Sequence, residues 1–243
     1  AAEDNKSITQ KMQFADFPPS EIKWTFSPND DGTTEVSWNM KGKDLPFGFK
    51  AHIALAGSMD EQVGPDFERG LEKLDSLLIV DMKKYKVTVN GLTEHGGGYY
   101  LYATTSCKIS ELESKMQELM PKVGMYAANN NIKMAGAPFT HYHKWDEANN
   151  AVMFSACVPT MEKVITTDSD ILTGQLEPFK AVKTTLKGNY DKLKEAWETV
   201  MKYIPENGME FAENGPMLEA YLTDPMSNPN PADWITEIYI AVK

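Results

Sequence analysis

The sequence predicts an α+β protein whose larger part is a tandem pair of β-α-β-β repeats related by pseudo-twofold symmetry. Three observations predict this fold class. Stretches of alternating apolar and polar residues mark strands, apolar residues at helical spacing mark helices, and the second half of the chain runs through the same order of elements twice. With 243 residues, 42% of them hydrophobic, the chain can bury a core without disulfide or metal support.

The N-terminal part is predicted to begin with strands. Residues 22–26 and 34–40 alternate between apolar and polar types. Asn29-Asp30-Asp31-Gly32 lies between them and tolerates the left-handed backbone of a hairpin turn, so these two strands should pair. Thr9–Phe17 is a further strand candidate, which Pro18-Pro19 ends.

A long helix is predicted over residues 59–82, with Pro65 near its start. Its apolar residues recur at helical spacing: Phe67, Leu71, Leu74, Leu77 and Leu78. Strands and helix together assign residues 1–82 to one N-terminal segment. That segment has too few elements to enclose a core alone.

A linker is predicted between the two parts of the chain, over residues 83–98. Residues 84–91 alternate like a short strand, and Gly96-Gly97-Gly98 follows. Three consecutive glycines permit close backbone approach or flexible joining. We therefore place the boundary between the two parts near residues 80–95.

The C-terminal domain, residues 99–243, contains an internal repeat with copies over 99–160 and 174–243. Each copy has a strand, an amphipathic helix, an Asn- or Gly-rich break and an alternating hairpin. A shift of 81 residues matches the apolar helix positions, which are Ile109, Leu112, Met116, Leu119, Met120 and Val123 in the first copy and Tyr190, Leu193, Trp197, Val200, Met201 and Ile204 in the second. Neither unit can bury its helix alone, so we expect two paired sheets with a ligand groove at the junction.

Three motifs of this domain carry a family resemblance. They are Lys187-Gly188-Asn189-Tyr190-Asp191-Lys192-Leu193, Glu219-Ala220-Tyr221-Leu222-Thr223-Asp224-Pro225 and Thr236-Glu237-Ile238-Tyr239-Ile240. In this order they resemble the GyrI-like family, the effector-binding domain of multidrug-responsive bacterial regulators. The resemblance covers about residues 95–243 and implies a β-α-β-β pair that binds small molecules. The chain departs from the family pattern at Ala241, where proline is usual.

A second resemblance concerns residues 20–80. Trp24-Thr25-Phe26, the Asp30-Asp31-Gly32 turn, Trp38-Asn39-Met40-Lys41-Gly42 and Phe67-Glu68-Arg69-Gly70-Leu71 resemble the last strands and C-terminal helix of a polyketide-cyclase or START-like (SRPBCC) domain. The first half of that fold is missing. The resemblance therefore implies a partial START-like unit whose pocket this chain cannot close alone.

The charge balance restricts the class of partner. A net charge of −11 repels phosphate backbones, which disfavours direct nucleic-acid binding and makes cationic or neutral ligands easier to accommodate than anions. No apolar run approaches the roughly 20 residues that span a bilayer. The chain begins Ala1-Ala2-Glu3-Asp4 without an initiator Met, which indicates a processed or trimmed precursor. The location is left open by the sequence; a cytoplasmic protein is favoured, and loss of an N-terminal signal or anchor is the alternative.

Two carboxylates are the candidate functional groups. Glu219 and Glu237 each lie on an alternating strand among apolar residues, where the ordinary position of a carboxylate is solvent-facing. The GyrI-like resemblance implies the other interpretation, in which they are pocket carboxylates that neutralise lipophilic cations stacked on aromatic rings. Burial would raise the pKa of either carboxyl group and suit it to general acid or base chemistry.

Aromatic residues on strands and adjoining loops complete the candidate site. Tyr100 and Tyr102 share one strand face, as do Phe139, His141 and His143, and core packing is the alternative for any single ring. The predicted ligand-binding residues are Tyr100, Tyr102, Phe139, His141, Trp145, Glu219, Tyr221, Trp234, Glu237 and Tyr239.

No cofactor and no metal are expected. His141 and His143 project together from a strand but lack a nearby third ligand. Gly96-Gly97-Gly98 lacks the strand–glycine–helix context of a dinucleotide loop. Cys107 and Cys157 are interpreted as small buried strand residues.

Three functions stay open at this point, and the preferred one is a binding module. It would sense or sequester a lipophilic or cationic small molecule in the groove between the repeats. The alternative is a hydrolase of reactive electrophilic toxins, with Glu219 or Glu237 assisting the attacking water. A weaker alternative is a protein-partner role like that of a gyrase inhibitor. The sequence leaves the identity of the ligand and the oligomeric state open.

Overall fold

The computed structural model describes residues 2–13, 18–42, 46–48, 55, 57 and 59–243. The chain divides into two compact units, residues 1–78 and 79–243. No helix in the described part of the chain is long and apolar enough to cross a membrane.

The first unit contains an antiparallel sheet of four strands in sequential order. These are β1 (Ala2–Glu3), β2 (Ser7–Met12), β3 (Ser20–Pro28) and β4 (Thr34–Lys41), followed by helix α1 (Met59–Met82). The predicted hairpin is β3–β4, in which Trp24 lies opposite Trp38 with ring centroids 4.4 Å apart. Trp38 also stacks on Phe67 of α1 at 4.5 Å, so aromatic contacts hold the helix against the hairpin.

Two expectations for this unit keep the status of predictions. The strand candidate Thr9–Phe17 is observed only to Met12, and residues 14–17 lie outside the described residues. The START-like resemblance of residues 20–80 likewise stays a prediction.

The second unit contains an eight-stranded antiparallel sheet and two helices. In chain order its elements are β5 (Lys86–His95), β6 (Gly98–Lys108), α2 (Leu112–Asn129), β7 (Phe139–Asp146), β8 (Ala151–Thr160), β9 (Leu172–Leu176), β10 (Phe179–Lys187), α3 (Leu193–Glu206), β11 (Met217–Tyr221) and β12 (Ile235–Ala241). The predicted α+β class is confirmed, and each copy of the repeat contributes a strand, a helix and a hairpin in the predicted order.

All eight strands form one sheet, in the order β5-β10-β12-β11-β7-β8-β6-β9. The two hairpins meet at its centre, where β7 and β11 pair from Phe139↔Ala220 to Tyr142↔Met217. The expectation of two separate sheets was therefore wrong, because the hairpins share hydrogen bonds across the junction. The pseudo-twofold relation between the repeats stays a prediction.

The predicted linker also differs from the structure. Residues 86–95 form the edge strand β5, which pairs with β10 from Lys86↔Lys187 to His95↔Phe179. A bulge between Lys183 and Thr184 interrupts the register. This segment thus belongs to the large sheet, because its alternating side chains continue past Gly91 and its backbone completes the ladder of β10.

The two faces of the large sheet have different partners. Helices α2 and α3 cover one face, here called the helix face, with their buried residues Leu119, Val123 and Ala127 on α2 and Ala196, Val200 and Ile204 on α3. The other, here called the opposite face, carries a separate cluster formed by Tyr100, Phe139, Cys157, Leu176 and Leu218. Strand alternation therefore decides which site a given side chain can reach.

The packing of Tyr100 generates a stability prediction. The ring lies so close to Gly174 of β9 that a Cβ atom there would sit 2.4 Å from its Cζ atom. Gly174→Ala should lower the free energy of unfolding by about 1–3 kcal/mol, because the ring is packed against Phe139 and cannot move freely.

Gly124→Ala is the matched control, because nothing lies within 4 Å of a Cβ atom at this helical position. It should raise the free energy of unfolding by about 0.5–1 kcal/mol. Urea denaturation of the full chain measures both, and equal effects of the two substitutions would contradict the described contact.

Candidate functional site: a buried carboxylate between the repeats

Glu219 is the centre of the candidate site. It lies in the middle of β11, between β7 and β12, and is 2% exposed. Its strand neighbours Leu218 and Ala220 point to the opposite face, so Glu219 points to the helix face together with Met217 and Tyr221. A glutamate is rarely buried this far unless its oxygen atoms have partners.

Two hydrogen bonds reach this carboxylate, one at each oxygen. The indole Nε1–H of Trp197 donates to Oε2 at 2.7 Å, and the hydroxyl of Tyr221 donates to Oε1 at 2.7 Å. The hydroxyl of Tyr142 also interacts with Glu219 and favours the ionised form of the carboxyl group. The hydroxyl of Thr140 lies 2.9 Å from that of Tyr221, and it acts as the donor because the Tyr221 proton already goes to Glu219.

No cationic side chain of the described residues pairs with Glu219. Burial raises the pKa of this carboxyl group above its usual 4.5, and the hydrogen bonds from Tyr221 and Trp197 and the interaction with the Tyr142 hydroxyl oppose that rise. Hydrogen bonds of this kind stabilise the ionised form without neutralising its charge.

Aromatic rings surround the carboxylate. Trp197 packs edge-on against Tyr142 with ring centroids 5.4 Å apart, and Tyr190 packs edge-on against Tyr221 at 5.7 Å. Tyr190 also contacts Trp234 at 4.8 Å. Such rings present faces that attract a cation and edges that donate hydrogen bonds.

The cluster lies where the two repeats meet. Trp197 projects from α3 of the second repeat and packs against the core beneath α2 as well as the core beneath α3. Tyr142 and Thr140 come from β7 of the first repeat, and Glu219 and Tyr221 from β11 of the second. The residues assemble only because β7 and β11 are hydrogen-bonded neighbours.

The remaining predicted carboxylate lies on the opposite face. Glu237 of β12 pairs with Lys183 at 2.5 Å and accepts a hydrogen bond from the Tyr239 hydroxyl at 2.6 Å. Register places Glu237 beside Ala220 and Glu219 beside Ile238, so the two carboxylates point away from each other. A single groove lined by both was therefore a wrong expectation, since the sheet separates them.

The other predicted residues divide in the same way. Tyr100, Tyr102, Phe139 and His141 lie on the opposite face with Tyr239, whereas Tyr221 and Trp234 are on the helix side with Glu219. Burial, and then the neighbouring His143 ring at 4.3 Å, lower the pKa of His141 to about 4.

Trp145 belongs to neither cluster. A bulge between Tyr142 and Lys144 moves it out of simple alternation, and it lies 44% exposed near the end of β7. Its ring contacts Tyr142, which leaves it at the margin of the Glu219 cluster. Among the described residues there is no group of three or more His, Cys, Asp or Glu side chains placed to hold a metal ion.

Sequence reasoning missed Trp197, Tyr142, Thr140 and Tyr190 as site residues. Trp197 and Tyr190 were interpreted as core positions of the repeat helix. Trp197 does pack against that core, whereas Tyr190 precedes α3 and contacts Tyr221 and Trp234. One signal could have distinguished Trp197. It occupies the position equivalent to Met116 of the first copy, and it brings a polar N–H into an apolar helix face. Tyr142 and Thr140 become visible only once β7 is known to lie beside β11.

Two solved structures of EcmrR share the fold of this chain, and a structure of SAV2435 is also similar to it. The C-terminal domain of EcmrR is 20% identical with a TM-score of 0.55, over 65% of this chain and 98% of that domain. EcmrR in its complex with DNA is 17% identical with a TM-score of 0.56, over 82% of this chain and 78% of that chain. SAV2435 bound to tetraphenylphosphonium is 14% identical with a TM-score of 0.49, over 66% of this chain and 94% of that one.

No curated protein matches the sequence significantly. The family comparison is decisive, because the family model described as a GyrI-like small molecule binding domain matches residues 99–243. This match covers more than half of the chain and includes Glu219 together with all its hydrogen-bond partners. The protein therefore belongs to the GyrI-like family of small-molecule-binding domains.

Proposed function

We propose that the protein binds a lipophilic cation, with Glu219 as the group that recognises its charge. The proposal depends on one observation, a fully buried carboxylate that has hydrogen-bond donors but no cationic partner among the described residues. Small-molecule binding follows from the family, and the cationic and lipophilic character of the ligand is the proposed part.

The energetics favour a cation over a neutral molecule. Burying an unpaired carboxylate costs several kcal/mol, and hydrogen bonds offset only part of that cost. A ligand cation placed beside Glu219 would remove the remaining cost, and the faces of Tyr142, Tyr190 and Trp197 would stabilise it further. An anion would meet the same carboxylate with repulsion.

Access to Glu219 requires a local rearrangement. Since the residue is 2% exposed, a ligand reaches it only when a covering side chain moves. Trp197 and Tyr190 are both partly exposed. Trp197 donates to the carboxylate from α3, and Tyr190, in the turn before α3, packs against Tyr221. The side chain of Met116, a residue of α2, contacts Thr140, and methionine side chains adapt easily to a changed cavity shape.

Hydrolysis of an electrophile is the alternative that this geometry favours less. A hydrolase needs a water molecule at a carboxylate oxygen, positioned for attack. A donor already occupies an acceptor site on each oxygen of Glu219, and both donors come from bulky aromatic side chains. Turnover of an epoxide that is abolished by Glu219→Gln would reverse this preference.

Glu219→Gln should weaken the binding of tetraphenylphosphonium about 30-fold or more, which corresponds to about 2 kcal/mol, because the buried countercharge is lost. The amide introduced by this substitution can keep the local hydrogen bonds, since Tyr221 can accept from it and donate to Thr140 instead. Isothermal titration calorimetry measures the affinity, with tetraphenylborate as an anion of the same shape that should not bind.

Two variants serve as controls for this substitution. Glu198→Gln makes the same change on the exposed surface of α3, one residue from Trp197, and should leave the affinity unchanged. Glu237→Gln tests the other carboxylate, and a loss of affinity there but not with Glu219→Gln would contradict the proposal.

The raised pKa of Glu219 predicts a pH dependence with a defined sign. The folded state keeps its proton to a higher pH than the unfolded chain, so the free energy of unfolding should fall as pH rises from about 4.5 through the folded-state pKa. Affinity for the cation should rise over the same range as the carboxyl group ionises. Urea denaturation between pH 4 and 9 should show this fall in the parent protein relative to Glu219→Gln, and parallel profiles would refute it.

Trp197→Phe should move that pH profile. The indole Nε1–H lowers the pKa of Glu219, so its removal should raise this pKa further and shift the dependence of cation affinity to higher pH. Calorimetric titrations at several pH values measure the shift. An unmoved profile would mean that the hydrogen bond does not form in solution.

A further inference from the structure

The opposite face of the large sheet carries a cavity that the proposed function does not use. Its volume is about 320 Å³, within the range of small-molecule sites. Phe139, Ala220 and Tyr239 form its floor, and the segment 135–137 and the turn at 95–98 form its rim. The sheet separates this cavity from Glu219, which points to the helix face.

Aromatic rings form the walls of the cavity. Tyr239 lies edge-on to His95 at 5.0 Å, and His95 in turn stacks on Phe179 at 4.9 Å. Tyr100 and Phe139 meet edge-on at 5.4 Å on the other side. Walls of this kind suit a flat ring system, which gains from offset-stacked and edge-to-face contacts.

The charges at the cavity cancel each other. Glu237 lines the cavity, but Lys183 neutralises it at 2.5 Å, so the site has no net attraction for a cation. The same pair offers no free positive charge for an anion. Each oxygen of Glu237 has one described partner, Lys183 on Oε1 and Tyr239 on Oε2, and a carboxylate oxygen can accept a second hydrogen bond.

His95 supplies a donor at the rim. Its Nδ1 atom accepts a hydrogen bond from the backbone N–H of Gly97 at 3.1 Å, which places the ring proton on Nε2. Burial lowers the pKa of His95, so the ring is neutral at pH 7. Within the described part of the chain, Nε2 has no hydrogen-bond partner.

We propose that this cavity is a second ligand site, which takes a neutral, planar aromatic molecule bearing an N–H or O–H donor for Glu237. Its ring system would lie among Tyr239, Phe139 and Tyr100. The specificity should differ from that of the Glu219 site, because Glu237 is paired with Lys183 whereas Glu219 has no cationic partner among the described residues. The proposal does not depend on cation binding on the helix face.

Indole and 1-methylindole are the probes that test the site, because they differ in the single donor. Indole should bind at least fivefold more tightly than 1-methylindole. In protein labelled with ¹³C at alanine methyl groups, indole should shift the resonances of Ala135, Ala137 and Ala220, which line the cavity, and leave those of Ala127 and Ala196 under the helices unchanged.

Ala220→Leu fills the cavity from its floor and should weaken indole binding at least tenfold while leaving tetraphenylphosphonium affinity unchanged. Ala128→Leu is the matched control, because it makes the same substitution at an exposed position of α2. Equal affinity for the two indoles, or shifts at Ala127 and Ala196 in place of the cavity alanines, would overturn the proposal. These outcomes are read independently of whether tetraphenylphosphonium binds.

Discussion

Four residue pairs between β7 and β11 hold the two repeats together, and both sites depend on them. This pairing places Thr140 beside Glu219 on one face and Phe139 beside Ala220 on the other. A shift of one residue would exchange the faces and put the carboxylate among the rings of Tyr100 and Tyr239. Hence the register of a short central ladder determines which groups surround the buried Glu219 carboxylate and which line the cavity on the opposite face.

The two carboxylates show how the surroundings set the function of one residue type. Glu219 and Glu237 lie on adjacent strands and each accepts a tyrosine hydroxyl two residues further along the chain. The difference is Lys183, which neutralises Glu237 and has no counterpart beside Glu219 among the described residues. A buried charge without a countercharge is a source of affinity for a cation, whereas a neutralised pair contributes hydrogen bonding alone.

Local pattern was sufficient for most of the elements, with β9 as an exception, but not for their assembly. Alternation located β11 and β12 and indicated Glu219, Tyr221, Glu237 and Tyr239, because period-two spacing is a property of each strand alone. The face that each residue occupies depends on which strands become neighbours, and hydrogen bonds between distant hairpins leave no local signal. For the same reason Trp197 was predicted as core, and β5 as part of a linker.

The contacts of Glu219 also connect the two helices. Trp197 of α3 donates a hydrogen bond to one carboxylate oxygen, and Tyr221 donates to the other. The Tyr221 hydroxyl contacts that of Thr140, which lies 3.0 Å from the sulfur of Met116 in α2. One buried carboxylate thus lies within a chain of contacts that reaches both helices, so a change in its protonation or in its partners bears on α2 and α3 together.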